Sequence, residues 1–276
     1  MGVLNVTPDS FSDGGEYLDP AAAVAHALAM EEEGAQLIDI GGESTRPGAE
    51  PVPVDEELRR VVGVLERLSA TKLRATVSID TAKARVARAA IDAGARMVND
   101  VTALRGDPEM AGVVSAAGVD CCLMHMRGEP RTMQVDPRYD DVVDDVKAFL
   151  EERLAFAVSA GIAEERIVLD PGIGFGKTID HNLELLRRLD ELVAIGRPVL
   201  IGTSRKSFIG RITGRPERER LAGTIATCVL AYERGASIFR VHEVAPVADA
   251  LRTAAATFAG WTPKSTTRIT TSSRTS

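Results

Sequence analysis

The sequence predicts a closed (β/α)8 barrel, eight parallel strands each followed by a helix. Three observations predict it. Eight short apolar runs recur along the 276 residues. Nearly every run stops at a residue able to do chemistry. Between the runs lie Ala-, Leu- and Glu-rich stretches of helical period. Strand, polar tip and helix, repeated over roughly 250 residues, is the anatomy of a barrel whose active site lies at the strand C-termini.

In chain order, Val3-Leu4 ends at Asn5, and Gln36-Leu37-Ile38 runs through Asp39 to Glu43. Thr76-Val77-Ser78-Ile79 ends at Asp80, and Met97-Val98 at Asn99-Asp100. Cys121-Cys122-Leu123-Met124 ends at His125, and Ile167-Val168-Leu169 at Asp170. Val199-Leu200-Ile201 leads into Ser204-Arg205-Lys206, and Ile238-Phe239 into Arg240-Val241-His242. The strands are rich in Val, Ile and Leu without clean alternation, as expected when both faces of a parallel sheet are covered.

Helices are expected over 20–33, 54–69, 82–93, 108–117, 139–160, 179–195, 204–234 (broken) and 244–259. In the first, Ala21, Val24, Ala25, Leu28 and Ala29 recur at i, i+3 and i+4 and predict the buried face. Gly34, Gly94, Gly118, Gly161 and Gly235 sit just beyond helix ends, where a left-handed residue is wanted. Residues 1–260 thus form one barrel domain. In 261–276 Ser and Thr dominate, and such a tail cannot bury enough apolar surface to order itself.

Composition narrows the function. A 45% hydrophobic content is that of a globular protein, and the net charge of −7 argues against nucleic acid or an anionic membrane as partner. No apolar run approaches the ~20 residues that span a bilayer, and the N-terminus lacks the basic and apolar regions of a signal peptide. Three cysteines, two of them adjacent in a strand, make neither a disulfide framework nor a zinc site. A soluble cytoplasmic protein is expected.

The motif Gly172-Ile173-Gly174-Phe175-Gly176-Lys177-Thr178 invites a nucleotide-loop reading. A Walker A loop needs glycine where Pro171 stands, and the third Rossmann glycine falls on Lys177. A flexible loop after Asp170 that lets a flat substrate approach the backbone fits better. Asp80, Asn99 and Asp170 close three strands whose tips converge over the mouth. Carboxylates accept from N–H pairs and Asn both donates and accepts, which suits a flat heterocycle with amide and amino groups; three buried caps are the alternative.

Loops after strands seven and eight frequently hold phosphate in barrels. Arg240 and His242 have period two and point the same way, an anion clamp. The alternative is an ion pair of Arg240 with Glu243. Ser204 is placed to N-cap the next helix. Solvated positions are expected for His26, His181 and His125. Ser204, His242 and Asp170 can be drawn as a triad, but no nucleophile-elbow sequence supports it. Segments 5–15 and 41–48 carry acid, hydroxyl and glycine residues, the composition of mobile active-site lids.

Those two segments resemble the signature loops of the dihydropteroate synthases. Ser78-Ile-Asp-Thr81, Val98-Asn-Asp-Val101, Leu123-Met-His-Met126, Leu169-Asp-Pro-Gly172, Ser204-Arg-Lys206 and Arg240-Val-His242 agree with that family in order, over about 1–259. The resemblance implies condensation of 6-hydroxymethyl-7,8-dihydropterin pyrophosphate with p-aminobenzoate, giving 7,8-dihydropteroate and pyrophosphate in folate synthesis. It implies that Asp80, Asn99, Asp170 and Lys206 hold the pterin and that Asn5 ligates Mg²⁺. Thr45, Arg46, Arg240 and His242 would hold pyrophosphate, and Phe11, Pro47, Phe175 and Ser204 would line the p-aminobenzoate pocket. Asp9 and Asp13 of the closing first loop join Arg46 and Lys206 as the catalytic set. A homodimer is implied by resemblance alone.

Family members usually have several residues before the Met-Gly of strand one, so here a shortened strand and an incompletely plugged floor are expected. Two rival functions use the same fold. A pterin-dependent methyltransferase barrel needs the Asp80/Asn99/Asp170 set but no diphosphate site, so Arg240, His242 and the two lids count against it. A non-catalytic paralogue that binds pterin or phosphate is opposed by intact Asn5, Thr45, Arg46, Lys206 and His242.

Overall fold

A computed structural model describes residues 1–7, 20–44, 48–128 and 132–259. Strands β1 (Gly2–Asn5), β2 (Leu37–Gly41), β3 (Thr76–Asp80), β4 (Met97–Asp100), β5 (Asp120–Met124) and β6 (Ile167–Asp170) pair in parallel in that order. Strands β7 (Leu200–Ile201) and β8 (Ile238–Phe239) pair with each other. Two parallel bridges, Leu169 to Val199 and Gly2 to Val241, join the pair to both edges of the larger sheet. Hydrogen bonds seal the second seam, from Val3 N–H to Val241 O at 3.0 Å and from Val241 N–H to Met1 O at 2.9 Å. The eight strands therefore close on themselves, and the barrel expected from the sequence is the fold observed.

Ten α-helices lie among the described residues: α1 (Pro20–Glu32), α2 (Val54–Ser69), α3 (Ala84–Asp92), α4 (Met110–Ala117), α5 (Val142–Ser159), α6 (Ile179–Arg187), α7 (Leu189–Val193), α8 (Ser207–Thr213), α9 (Leu221–Glu233) and α10 (Val244–Ala259). The break expected in 204–234 falls between α8 and α9, and 179–195 is also split, into α6 and α7. Asp141 caps α5 by accepting from Val143 N–H at 2.8 Å and Asp144 N–H at 3.1 Å. The left-handed backbone expected after five helices is present, for example at Gly118 with φ of 61°.

Alternation along the strands divides the core in two. Ile38, Ile40, Ile79, Val98, Cys121, Leu123, Ile167 and Leu169 face outward and pack with the helices in the main core. Met97, Cys122, Val168 and Leu200 point inward and form a small apolar layer, against which Met1, Leu37 and Ile238 pack. The alternation that the sequence hid is thus real. Strand β1 has four residues, as do β4 and β6. The Met1 amine donates to Phe239 O at 2.9 Å. Beside it, a cavity of about 820 Å³ is lined by Met1, Leu37, Ile238 and residues of α10.

The expected face of α1 is corrected. Ala23, Ala27 and Met30 are its buried residues, whereas Ala21, Ala25 and Ala29 are exposed. Alanine stands at so many positions of this helix that small apolar residues occur on every side, and the periodicity selects no stripe. The tail 261–276 lies outside the described residues. Ala27→Leu forces three extra carbons into a full site and should destabilise by about 1–3 kcal/mol. Ala25→Leu should stay within about 0.5 kcal/mol, as expected for a surface change. Urea midpoints of the two variants check this, and equal midpoints would contradict the assigned face.

Candidate active site

The strand pairing sets one level of the barrel mouth. Asn5 is level with Gly41, Gly41 with Asp80, and Asp80 with Asn99. A Cβ on Gly41 would stand 3.5 Å from Asp80 Cβ and 3.7 Å from Asn5 Oδ1, so both side chains border the same spot. One step below, Asp39 is level with Ser78 and is fully buried. Its Oδ1 accepts from Ser78 Oγ at 2.6 Å, while Oδ2 accepts from Asn99 Nδ2 at 3.0 Å and Arg240 Nε at 2.6 Å.

Arg240 reaches from β8 across the mouth and also donates from Nη2 to Asp80 Oδ2 at 2.8 Å. Burial works against its cation, but Asp39 and Asp80 outweigh that and hold its pKa above the ordinary value. Asp80 is pushed up to about 7, by burial first and then by the neighbouring carboxylates, with Arg240 opposing. Its Oδ1 is buried and takes no hydrogen bond from the described residues. Such an orphaned acceptor is costly unless a ligand supplies the donor.

On the opposite side Asp170 Oδ1 accepts the Gly172 N–H at 2.7 Å. Burial raises its pKa, with Lys206 and the Gly172 N–H opposing. Lys206 donates to Ile173 O and lies 4.5 Å from the centroid of the Phe175 ring. Its pKa falls to about 8 because it is buried and near Arg240, against the pull of Asp170. Phe175 also packs on Val101, Met124, Met126 and Met133. At the end of β7, Ser204 Oγ lies 2.9 Å from His242 Nδ1 and accepts the His242 N–H at 3.2 Å.

Several expectations change. Arg240 does not pair with Glu243; Arg205 does, at 2.6 Å through Nε. Ser204 caps no helix, since α8 starts at Ser207 and its cap position is Lys206. No hydrogen bond links Asp170 to His242 among the described residues, so the triad is not assembled. His125 is not solvated. The period-two alternation turns it outward from β5 into the helix layer, where only 6% of it is exposed and its ring meets Phe149 edge-on at 4.8 Å. His26 is exposed as expected, but His181 is half-buried, its Nδ1 accepting the Thr178 N–H at 3.2 Å in a capping box. The 172–177 loop is pinned rather than flexible. Tyr139 donates to Gly176 O at 2.7 Å, and Gly174 N–H donates to Asn182 Oδ1 at 2.6 Å.

Asn5, Asp80, Asn99, Asp170, Phe175, Ser204, Lys206, Arg240 and His242 all stand at strand ends or in the loops just beyond them. Asp9, Phe11, Asp13, Thr45, Arg46 and Pro47 lie outside the described residues. Asp39, which sequence reasoning left out of the site, is the carboxylate that ties Arg240, Asn99 and Ser78 together; it was masked by the apolar Ile40 after it. Also unforeseen is the anchor of the second loop. Glu43 accepts from Val52 N–H at 2.8 Å and from Lys83 Nζ at 2.7 Å, and Arg60 donates to Gly42 O at 2.8 Å.

Residues 1–242 match the sequence profile described as pterin binding enzyme. The chain is 47% identical over 257 residues to the dihydropteroate synthase of Escherichia coli strain K12, covering 93% of this chain and 90% of that one. It superposes on the Yersinia pestis dihydropteroate synthase solved with a sulfonamide drug, with a TM-score of 0.89 and 44% identity over 94% of this chain and 93% of that one. The Xanthomonas albilineans dihydropteroate synthase, solved with 4-aminobenzoic acid, gives a TM-score of 0.88 and 51% identity over 95% and 93%. The same enzyme in complex with 7,8-dihydropteroate gives a TM-score of 0.84 and 48% identity over 95% and 93%.

The chain belongs to the pterin-binding enzymes. Within them it stands with the dihydropteroate synthases, and its activity is that transferase reaction: pterin pyrophosphate and p-aminobenzoate condense to 7,8-dihydropteroate.

Taken with the expectation, from family resemblance, that Lys206 holds the pterin, its position predicts a pH dependence. A lysine whose pKa has fallen to about 8 is cationic below that value and loses its charge as pH rises through it. Affinity for pterin pyrophosphate should therefore decline between pH 7 and 9.5, whereas Lys206→Met should bind weakly with no such decline. Calorimetry across this range checks it; a wild-type affinity level beyond pH 9 would contradict the assignment.

Proposed function

We propose that the residues of the mouth divide the condensation into a pterin cradle, a diphosphate grip and an arylamine wall. The observation that carries this reading is the buried acceptor set Asp80, Asn99 and Asp170 beside the cations Lys206 and Arg240. Asp170 and the orphaned Asp80 Oδ1 accept from the N–H groups of the pterin, and Asn99 meets its amide edge. His242 and Arg240 grip the diphosphate, with Thr45 and Arg46 joining them by resemblance to the family. Phe175 and Ser204 wall the p-aminobenzoate site, together with Phe11 and Pro47 on the same ground, and Asp9 and Asp13 belong to the first loop.

Asn5 fits a role as the protein ligand to Mg²⁺. Its amide oxygen stands at a strand end beside Asp80, and Mg²⁺ is usually held by one or two protein oxygens, waters and substrate phosphates. Bound there, the ion would neutralise the diphosphate oxygens.

The electron pair of the pterin methylene C–O bond departs with the diphosphate. The cation left on the methylene is stabilised by the electron-rich dihydropterin and by the nearby carboxylates. The arylamine nitrogen attacks that carbon, and the proton it sheds passes to the departed diphosphate. No enzyme nucleophile is needed, which agrees with the unassembled triad. No helix of the described residues is long and apolar enough to cross a membrane. The free buried thiols of Cys121, Cys122 and Cys228 support a reducing compartment, the cytoplasm. By resemblance to the family the chain forms a homodimer; Leu230 on α9 and Phe258 on α10 are among its exposed large apolar side chains.

Two outcomes test the division of roles. Asp170→Asn replaces a charged acceptor in the cradle and should lose about 2–5 kcal/mol of pterin affinity, read by calorimetry beside an assay for dihydropteroate. Unchanged pterin binding by the folded variant would remove Asp170 from the site. His242→Ala should weaken pyrophosphate binding and spare a pterin that carries no phosphate. Arg240→Ala should weaken both and also lower stability, since breaking a buried ion pair costs about 3–5 kcal/mol. Equal losses for the two ligands in His242→Ala would refute its place in the grip.

A further inference from the structure

Lys177 is a buried amine without a part in the reaction as described above. Only 3% of it is exposed. Its Nζ lies 2.8 Å from His125 Nδ1 and donates to Phe175 O at 3.1 Å. Burial holds its pKa well below the ordinary value, with Lys206 adding to that and Asp170 opposing. His125 is held neutral, its pKa pushed down to about 2 by burial and by the cations Lys177, Arg105 and Arg127. A methionine at 177 would fill the same space without the desolvation that a buried amine suffers. Packing alone therefore does not account for the amine; what it holds does.

What it holds is the loop between Asp170 and α6. Gly172, Gly174 and Gly176 all have positive φ, of 67°, 84° and 63°. A Cβ on Gly172 would stand 1.9 Å from His125 O, and one on Gly176 2.3 Å from Arg127 O. The loop is thus pressed onto the segment that follows β5. Tyr139, Asn182 and Gln134 hold it as well, the last donating to Gly174 O at 2.5 Å. Lys177 is the bond that returns from the loop's end to its middle, at the carbonyl of Phe175. The two groups that Lys206 meets, Ile173 O and the Phe175 ring, are both in this stretch. His125 also serves both sides of the site. Its ring faces Lys177, and its backbone N–H donates to Asp170 O at 2.9 Å.

We propose that Lys177 and His125 are a pair of positioning residues, which lock the 172–176 loop in the shape that presents Phe175 and Ile173 O to Lys206. The pair touches no substrate. It rests on the assignment of Phe175 and Lys206 as substrate contacts, and it makes the arylamine wall depend on a bond formed outside the barrel interior.

The test uses Lys177→Met, His125→Leu and His125→Asn in the full chain. Asn places an oxygen near the position of His Nδ1, so it can still accept from Lys177. Lys177→Met and His125→Leu should raise KM for p-aminobenzoate tenfold or more and leave pyrophosphate affinity within twofold. His125→Asn should recover most of what His125→Leu loses. Hydrogen exchange of the peptide covering 171–178, read by mass spectrometry, is a second measure that needs no activity. It should quicken at least tenfold in the first two variants while peptides of β1 to β4 keep their protection. Unchanged loop exchange in Lys177→Met would overturn the proposal. So would faster exchange throughout the barrel in step with a lower Tm, since that marks a merely structural role. Quickened loop exchange in a chain whose wild type forms no dihydropteroate would uphold the lock and fail the assigned reaction instead.

Discussion

The mouth of this barrel is organised by one buried guanidinium. Arg240 on β8 bonds Asp39 on β2 and Asp80 on β3, and Asp39 passes the connection to Ser78 and Asn99. Strands that are far apart in sequence are thereby tied across the interior by charge-assisted bonds. Two carboxylates share one guanidinium in a buried site. Burial first, and then the neighbouring carboxylates, make Asp80 resist ionisation against the pull of Arg240, and its Oδ1 takes no hydrogen bond from the described residues. Replacing such a cluster with apolar side chains often makes a protein more stable, so stability alone does not explain it. A layer of this kind is preorganised for a ligand that brings N–H groups to its open acceptors.

A second charge balance stands opposite. Asp170 and Lys206 each oppose the effect of burial on the other. Lys206 is also oriented by Ile173 O and by the Phe175 ring, so its direction is set by a loop rather than by its own strand. The carboxylates are thus rigid features of the strands, while the cation facing them is placed by the chain that follows β6. Binding a flat, polar ring between these halves asks little rearrangement of the first and depends on the second being held still.

How much of this was legible depends on where a side chain sits relative to the apolar runs. Asp80, Asn99 and Asp170 each end a run, so a polar residue after hydrophobic ones marked the strand tip directly. Asp39 also follows an apolar run, but Ile40 comes after it, and the polar residue reads as an interruption instead of a tip. The cause is geometric: inward positions alternate with outward ones, and an interior lined by Asp39, Ser78 and Asn99 destroys the expected hydrophobic continuity. His125 was misplaced for the complementary reason. Counting by twos from Cys121 and Leu123 puts it on the outer face, under α5, where a neutral imidazole can pack against Phe149. The buried side of α1 was not readable at all, because alanine gives no contrast between faces. Partners distant in sequence, such as Lys83 with Glu43 or Lys177 with His125, leave no local pattern.

The two layers inside the barrel show how one set of strands serves both stability and chemistry. Below, Met97, Cys122, Val168 and Leu200 fill the interior with apolar volume and hold the strands at fixed spacing. One residue pair further along the same strands, Asn99 and Asp170 occupy equivalent inward positions and carry the acceptors. The change from packing to chemistry therefore takes one step of the pleat, about 7 Å along a strand. The lower layer is apolar, so the polar cluster opens toward the mouth. A ligand that closes that side removes the last screening from Asp39, Asp80, Asp170 and their cations, and each attraction then acts at its strongest on the bound molecule.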